Sequence, residues 1–186
     1  MIRIMRRMEP QPSKLPIVDV NLQSVDKRDQ TWFFNFTDNV SVLTEQFWRL
    51  RQHGRIKVTS QDHGHQFGLT QPVDARELVG LAVGTLPVVE ARIDGNTGDL
   101  FIAFSEDVQL EFLQTSSGYE SWRANVGGDE FTCGGGGEIL GLEPLTPEQV
   151  DQAKDRRLHW AFSARCSSGF QEGHPGHWQF TSACAV

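Results

Sequence analysis

The sharpest pattern of apolar and polar positions lies between Gly98 and Trp122, GDLFIAFSEDVQLEFLQTSSGYESW. Leu100, Ile102 and Phe104 recur at every second position, and so do Val108, Leu110 and Phe112. A period of two places each trio on one face of a strand. Ser105-Glu106-Asp107 interrupts the two runs, which predicts an antiparallel hairpin. Thr115-Ser116-Ser117-Gly118 is the next turn, and Tyr119 to Ala124 returns as a third strand.

The same reading extends along the chain. Residues 1–16 are basic and then proline-rich, a flexible lead-in. Ile17 to Val20 is a short strand and Val25 to Gln30 a charged loop. Thr31 to Phe36 (TWFFNF) is a strand with Trp32, Phe34 and Phe36 on one face. Ser41 to His53 reads as a helix, with Leu43, Phe47 and Leu50 at helical spacing and Gly54 as its C-terminal stop. Arg55 to Thr59 alternates as a strand, and Ser60 to Thr70 is a polar loop. A second helix starts at Asp74, with Asp74 as N-cap and Glu77 at the third helical position, and ends near Leu81. Leu86 to Ile93 is the strand before the central hairpin, and Asp94 to Gly98 the turn between them. Gly127-Gly128-Asp129 turns the chain into a strand from Glu130 to Cys133. Leu145-Thr146-Pro147 opens a third helix within residues 143–157. From His159 to Ala185 there is no Ile, Leu, Val or Met, so residues 158–186 read as a tail of low order, or as translation in a shifted frame.

The fold class that follows is α+β: an antiparallel meander of about five strands packed by two short helices, within residues 17–142. No apolar run approaches the ~20 residues a bilayer span requires. The basic start lacks an apolar core, so it is not a secretory signal, and Met8 is an alternative start. Three cysteines without an export signal fit reduced thiols in a cytoplasm.

Charge sharpens the picture. The net charge is −7, yet residues 1–57 hold 10 Lys/Arg against 6 Asp/Glu. Residues 99–143 hold nine Asp/Glu against one basic residue, Arg123. An acidic sheet repels nucleic-acid phosphates and attracts basic proteins. The apolar faces of the central strands push the carboxylates to the other face and the loops. The expected partner-binding set is therefore Glu106, Asp107, Glu111, Tyr119, Glu120, Trp122, Asp129 and Glu130, with the aromatics as anchors.

Chemistry-bearing motifs are sparse. His63-Gly64-His65, with Asp62, offers two or three ligands of a metal site and so a metal-dependent enzyme as the alternative function. Cys166, His174, His177 and Cys184 supply four ligand types, but not at a recognised finger spacing. Gly134 to Gly137 lacks the Lys-Ser/Thr of a phosphate loop and reads as a flexible turn at a sheet edge. Cys133 has no histidine near it in sequence. No catalytic residue and no cofactor is expected.

Ser117-Gly118-Tyr119-Glu120-Ser121-Trp122, preceded by Thr97-Gly98-Asp99-Leu100 and followed by the glycine run, resembles a pattern in small bacterial proteins of the immunity type encoded beside polymorphic toxins. The resemblance spans roughly Thr31 to Leu142. It implies a non-enzymatic cytoplasmic protein that occludes a toxin, and it assigns no residue roles. An acidic sheet facing a basic toxin would suit that mode of action.

Overall fold

The computed structural model describes residues 3–8 and 11–144. In chain order the strands are β1 (Arg3–Arg7), β2 (Leu22–Arg28), β3 (Thr31–Phe36), β4 (Ser41–Thr44), β5 (Trp48–Gln52) and β6 (Arg55–Thr59). Then come α1 (Ala75–Val83), β7 (Val88–Ile93), β8 (Leu100–Phe104), β9 (Val108–Phe112), β10 (Trp122–Val126), β11 (Asp129–Cys133) and β12 (Ile139–Pro144). All pairings are antiparallel and form two sheets, β1-β12-β11-β10-β4-β3-β2 and β6-β5-β9-β8-β7. The protein is thus mostly β, with one α-helix among the described residues, and the α+β meander packed by two helices is corrected. No helix among the described residues is long and apolar enough to cross a membrane.

The segment expected to be the first helix is what divides the two sheets. Val42, Thr44, Trp48 and Leu50 are all buried, in two runs of period two. Glu45-Gln46-Phe47 is the corner between those runs, and β4 and β5 lie in different sheets. Leu43 and Phe47, which helical spacing joins to Leu50, lie outside the core cluster. Gly54 ends no helix. It forms a two-residue hairpin turn with His53, at φ 72° and 51°, the left-handed pair that suits strand twist.

The core is the interface between the sheets. Trp32 meets Trp48 of β5 edge-on, with ring centroids 4.8 Å apart. Phe34 meets Phe112 of β9 at 4.9 Å, and Phe36 stacks on Phe104 of β8 at 6.5 Å. One strand, β3, therefore touches three successive strands of the other sheet. It crosses them obliquely, since Phe104 lies four residues along β8 from the row that holds Trp48, Phe112 and Leu100. The α1 helix packs on β2 and β6 and covers an edge strand of each sheet.

The central hairpin is as expected: Leu100, Ile102, Phe104, Val108, Leu110 and Phe112 are all buried, and β8 pairs β9. The third strand is not. Residues 113–121 form a connection, and β10 starts at Trp122 beside β4 and β11 in the other sheet. The charged stretch expected to be a loop is the edge strand β2. The described residues of the lead-in, 3–8 and 11–16, are structured as well. β1 pairs β12, and Leu15 is buried and donates its N–H to Ala91 O. Ile17 to Val20 forms no strand, although Ile17 is fully buried. Residues 143–144, the start of the expected helix, end strand β12; the rest of that helix, and the tail with Cys166, His174, His177 and Cys184, lie outside the described residues.

Candidate functional site

The seven-stranded sheet has one face in the core and one outside. Its inner row contains Trp32, Thr44 and Trp122, directly opposite one another across β3, β4 and β10. Alternation sends the next row outward. It runs from Asp26 through Phe33, Leu43, Arg123 and Thr132 to Leu140 and Arg7, one residue per strand, and Thr132 within it is buried. A groove of about 370 Å³ lies on this outer face. Phe33 and Leu43 give it an apolar floor, and Thr31, Glu45, Glu120 and Arg123 border it.

Carboxylates outnumber cations around that floor. Arg123 bridges Glu120 at 3.0 Å and Glu130 at 3.4 Å, so one guanidinium sits between two acids. Arg28 lies over the Phe33 ring, 5.4 Å from its centroid. Asp26 accepts from Ser24 Oγ at 2.9 Å and from Asn35 Nδ2 at 3.3 Å. Glu45, exposed at the β4–β5 corner, accepts from Thr31 Oγ1 at 2.9 Å and has no cation partner among the described residues. Asp26, Glu45, Glu120 and Glu130 thus oppose Arg28 and Arg123. Sequence reasoning missed Glu45 and Phe33, because it placed Glu45 in a helix within a segment that is basic overall and drew the partner-binding set from residues 99–143 alone.

The eight expected partner residues do not share one surface. Glu106 and Asp107 form the exposed tip of the β8–β9 hairpin, in the other sheet. Glu111 is 1% exposed, and its carboxylate is held by Arg49 and by Arg51 at 3.0 Å, with Gln109 Nε2 at 3.1 Å. Trp122 is also 1% exposed, and its Nε1 donates to Gly98 O at 2.8 Å. Glu111 is thus buried in the outer face of the five-stranded sheet, while Trp122, though buried, lines the groove. Asp129 is exposed at the β10–β11 turn. Tyr119 is 76% exposed, next to Glu120 on the groove's border. Of the eight, Glu120 and Trp122 line the groove, Tyr119 precedes Glu120 in the chain, and Glu130 pairs with Arg123 of the lining.

The three motif pieces behind the resemblance meet in space. Gly98 has φ +75°, and a Cβ on it would come within 2.7 Å of Cys133 Sγ. Gly137 has φ +88°, and its Cβ would lie 2.3 Å from Thr97 O. Gly136 donates its N–H to Ser116 O at 3.2 Å. Gln114 ties the pieces together: its N–H reaches Asp99 Oδ1 at 2.6 Å and its Nε2 reaches Gly134 O at 2.7 Å. The glycine run is thus a close-packed junction, not a free turn. Cys133 is buried there, and burial pushes its thiol up to about 12, so it stays protonated at neutral pH.

The histidine pair does not converge. His63 Nδ1 accepts from Ala75 N–H at 3.3 Å, and its ring meets Trp32 edge-on at 5.2 Å. His65 stacks on Phe67 at 5.5 Å. Asp62 Oδ2 accepts from Thr59 N–H at 2.8 Å. Among the described residues no three His, Cys, Asp or Glu side chains gather as metal ligands. The chain matches no protein-family model, no curated protein and no solved structure with which it was compared.

Proposed function

We propose that this chain is a protein-binding β-sandwich of the immunity type. It uses the outer face of its seven-stranded sheet to receive a basic segment of a partner protein. The observation that carries the reading is the groove itself: Phe33 and Leu43 between Glu45 and Glu120. An apolar floor with carboxylates beside it suits the aliphatic stem and charged head of a lysine or arginine. Tyr119 stands exposed beside it as an aromatic anchor. The carboxylates would steer a basic partner into place and so act chiefly on the association rate. The partner class, a basic toxin, comes from the resemblance in the Thr97–Gly137 motifs.

The test is stopped-flow binding to the product of the neighbouring gene, once identified, at several salt concentrations. Glu45→Lys with Glu120→Lys should lower the on-rate about tenfold or more at low salt and flatten its salt dependence. Glu106→Lys with Asp107→Lys, at the hairpin tip, should do much less. An on-rate indifferent to the groove pair, or more sensitive to the tip pair, removes the groove as the binding face.

A further inference from the structure

A second cavity, about 420 Å³, opens where the β2–β3 turn, the β4–β5 corner, the end of β6 and the segment after β9 converge. It shares only Glu45 and the neighbourhood of Thr31 and Trp32 with the groove. Its volume falls within the ~300–1,000 Å³ usual for small-molecule sites. Its chemistry is unlike the groove's.

Amides and hydroxyls dominate the lining: Gln30, Gln46, Gln61, Ser60 and Thr115. One cation and one anion, Lys27 and Glu45, offset each other. Trp32 and Phe47 supply the apolar wall. Much of the polar capacity is unspent. Gln46 Oε1 accepts from Thr115 Oγ1 at 2.6 Å, which leaves its NH₂ to donate. The side-chain amides of Gln30 and Gln61 engage no partner among the described residues. Lys27 Nζ lies 5.7 Å from the Trp32 ring centroid, at one side of the cleft.

A charged ligand would meet one unlike and one like charge here and gain little. A ligand that both donates and accepts around its rim would satisfy the lining. Each glutamine amide offers a donor and an acceptor side by side, which suits neighbouring hydroxyls on one ring. The ring's C–H face would have Phe47 to lie against. We propose that this cleft binds a neutral carbohydrate unit, independently of the protein partner of the groove.

The test presents the full-length chain to an array of immobilised neutral and anionic oligosaccharides. It then measures affinity for the best neutral hit by calorimetry. At least one neutral class should be retained. Gln30→Ala with Gln61→Ala should weaken it about tenfold or more, and Gln46→Ala should weaken it as a separate variant. The melting midpoint should not move, since Gln30 and Gln61 are exposed. Glu120→Lys, in the groove, should leave sugar binding intact. Retention of anionic glycans alone, no retention at all, or unchanged affinity in both glutamine variants would overturn the proposal. None of those results bears on the groove.

Discussion

At the scale of single residues, the sharpest local device is Asp74. Its carboxylate accepts from the N–H of Arg76 at 2.9 Å and pairs with the Arg76 guanidinium at 2.6 Å, which holds it down to about 2 from 3.8. Asp74→Ala should cost about 1 kcal/mol in urea denaturation, the usual worth of an N-cap. Because the folded value is depressed, this contribution is complete above 3.8 and fades as pH falls towards 2. His63 adds a second acid-sensitive contact. Burial lowers its pKa below 6.5, while Asp74 alone among its charged neighbours raises it and Arg76 and Lys27 lower it. The unfolded chain then binds the proton more readily than the folded one. Stability should be full above 6.5 and decline as pH falls through the lower folded value. In His63→Gln the slope of stability against pH between 7 and 5.5 should shrink; an unchanged slope would show that other groups set it. Glu111 is the remaining residue of weight. Its removal leaves Arg49 and Arg51 without their shared carboxylate, and Glu111→Ala should cost about 2 kcal/mol, discounted because both arginines are about one-third exposed.

At the scale of elements, the junction of loops at Gly98 and Gly137 fixes how β8, β10 and β11 enter their two sheets. Gly137→Ala should cost about 2 kcal/mol or more, because the added Cβ meets backbone on a left-handed residue. Gly95→Ala, with nothing within 4 Å, is the control at an open turn and should cost far less. The same junction shows where sequence reading stops. Strands with a clean period of two and a turn at each end were legible: β3, β6, β8, β9 and β11 stand where the pattern put them. The α1 cap was legible because Asp74 and Glu77 act within one turn. The β4–β5 corner was not. Leu43, Phe47 and Leu50 fit a helical spacing by coincidence, while Val42, Thr44, Trp48 and Leu50 carry the true strand period. Edge strand β2 was missed because its side chains are half-buried or exposed, with no buried face to betray it. β1 and β12 pair across nearly the whole described chain, a contact that local patterning does not encode.

At the scale of the whole molecule, two packed sheets leave two outer faces of different character. On the five-stranded sheet Arg49, Arg51 and Arg92 project beside the buried Glu111, and Arg92 lies over Phe101 at 4.3 Å. On the seven-stranded sheet Asp26, Glu45, Glu120 and Glu130 surround Phe33 and Leu43. A net charge of −7 is therefore spread unevenly, and charge counts along the sequence do not locate the acidic face. Glu45 and Asp26 come from the half of the chain that is basic overall. The central claim is that this seven-stranded face is the binding surface. The most direct test is a two-dimensional NMR titration of the isotope-labelled chain with a lysine-rich protein probe. The largest shifts should fall on Thr31, Phe33, Leu43, Glu45, Tyr119, Glu120 and Arg123. Shifts concentrated on Arg49, Arg51, Arg92 and Phe101, or on the Glu106–Asp107 tip, would contradict the account.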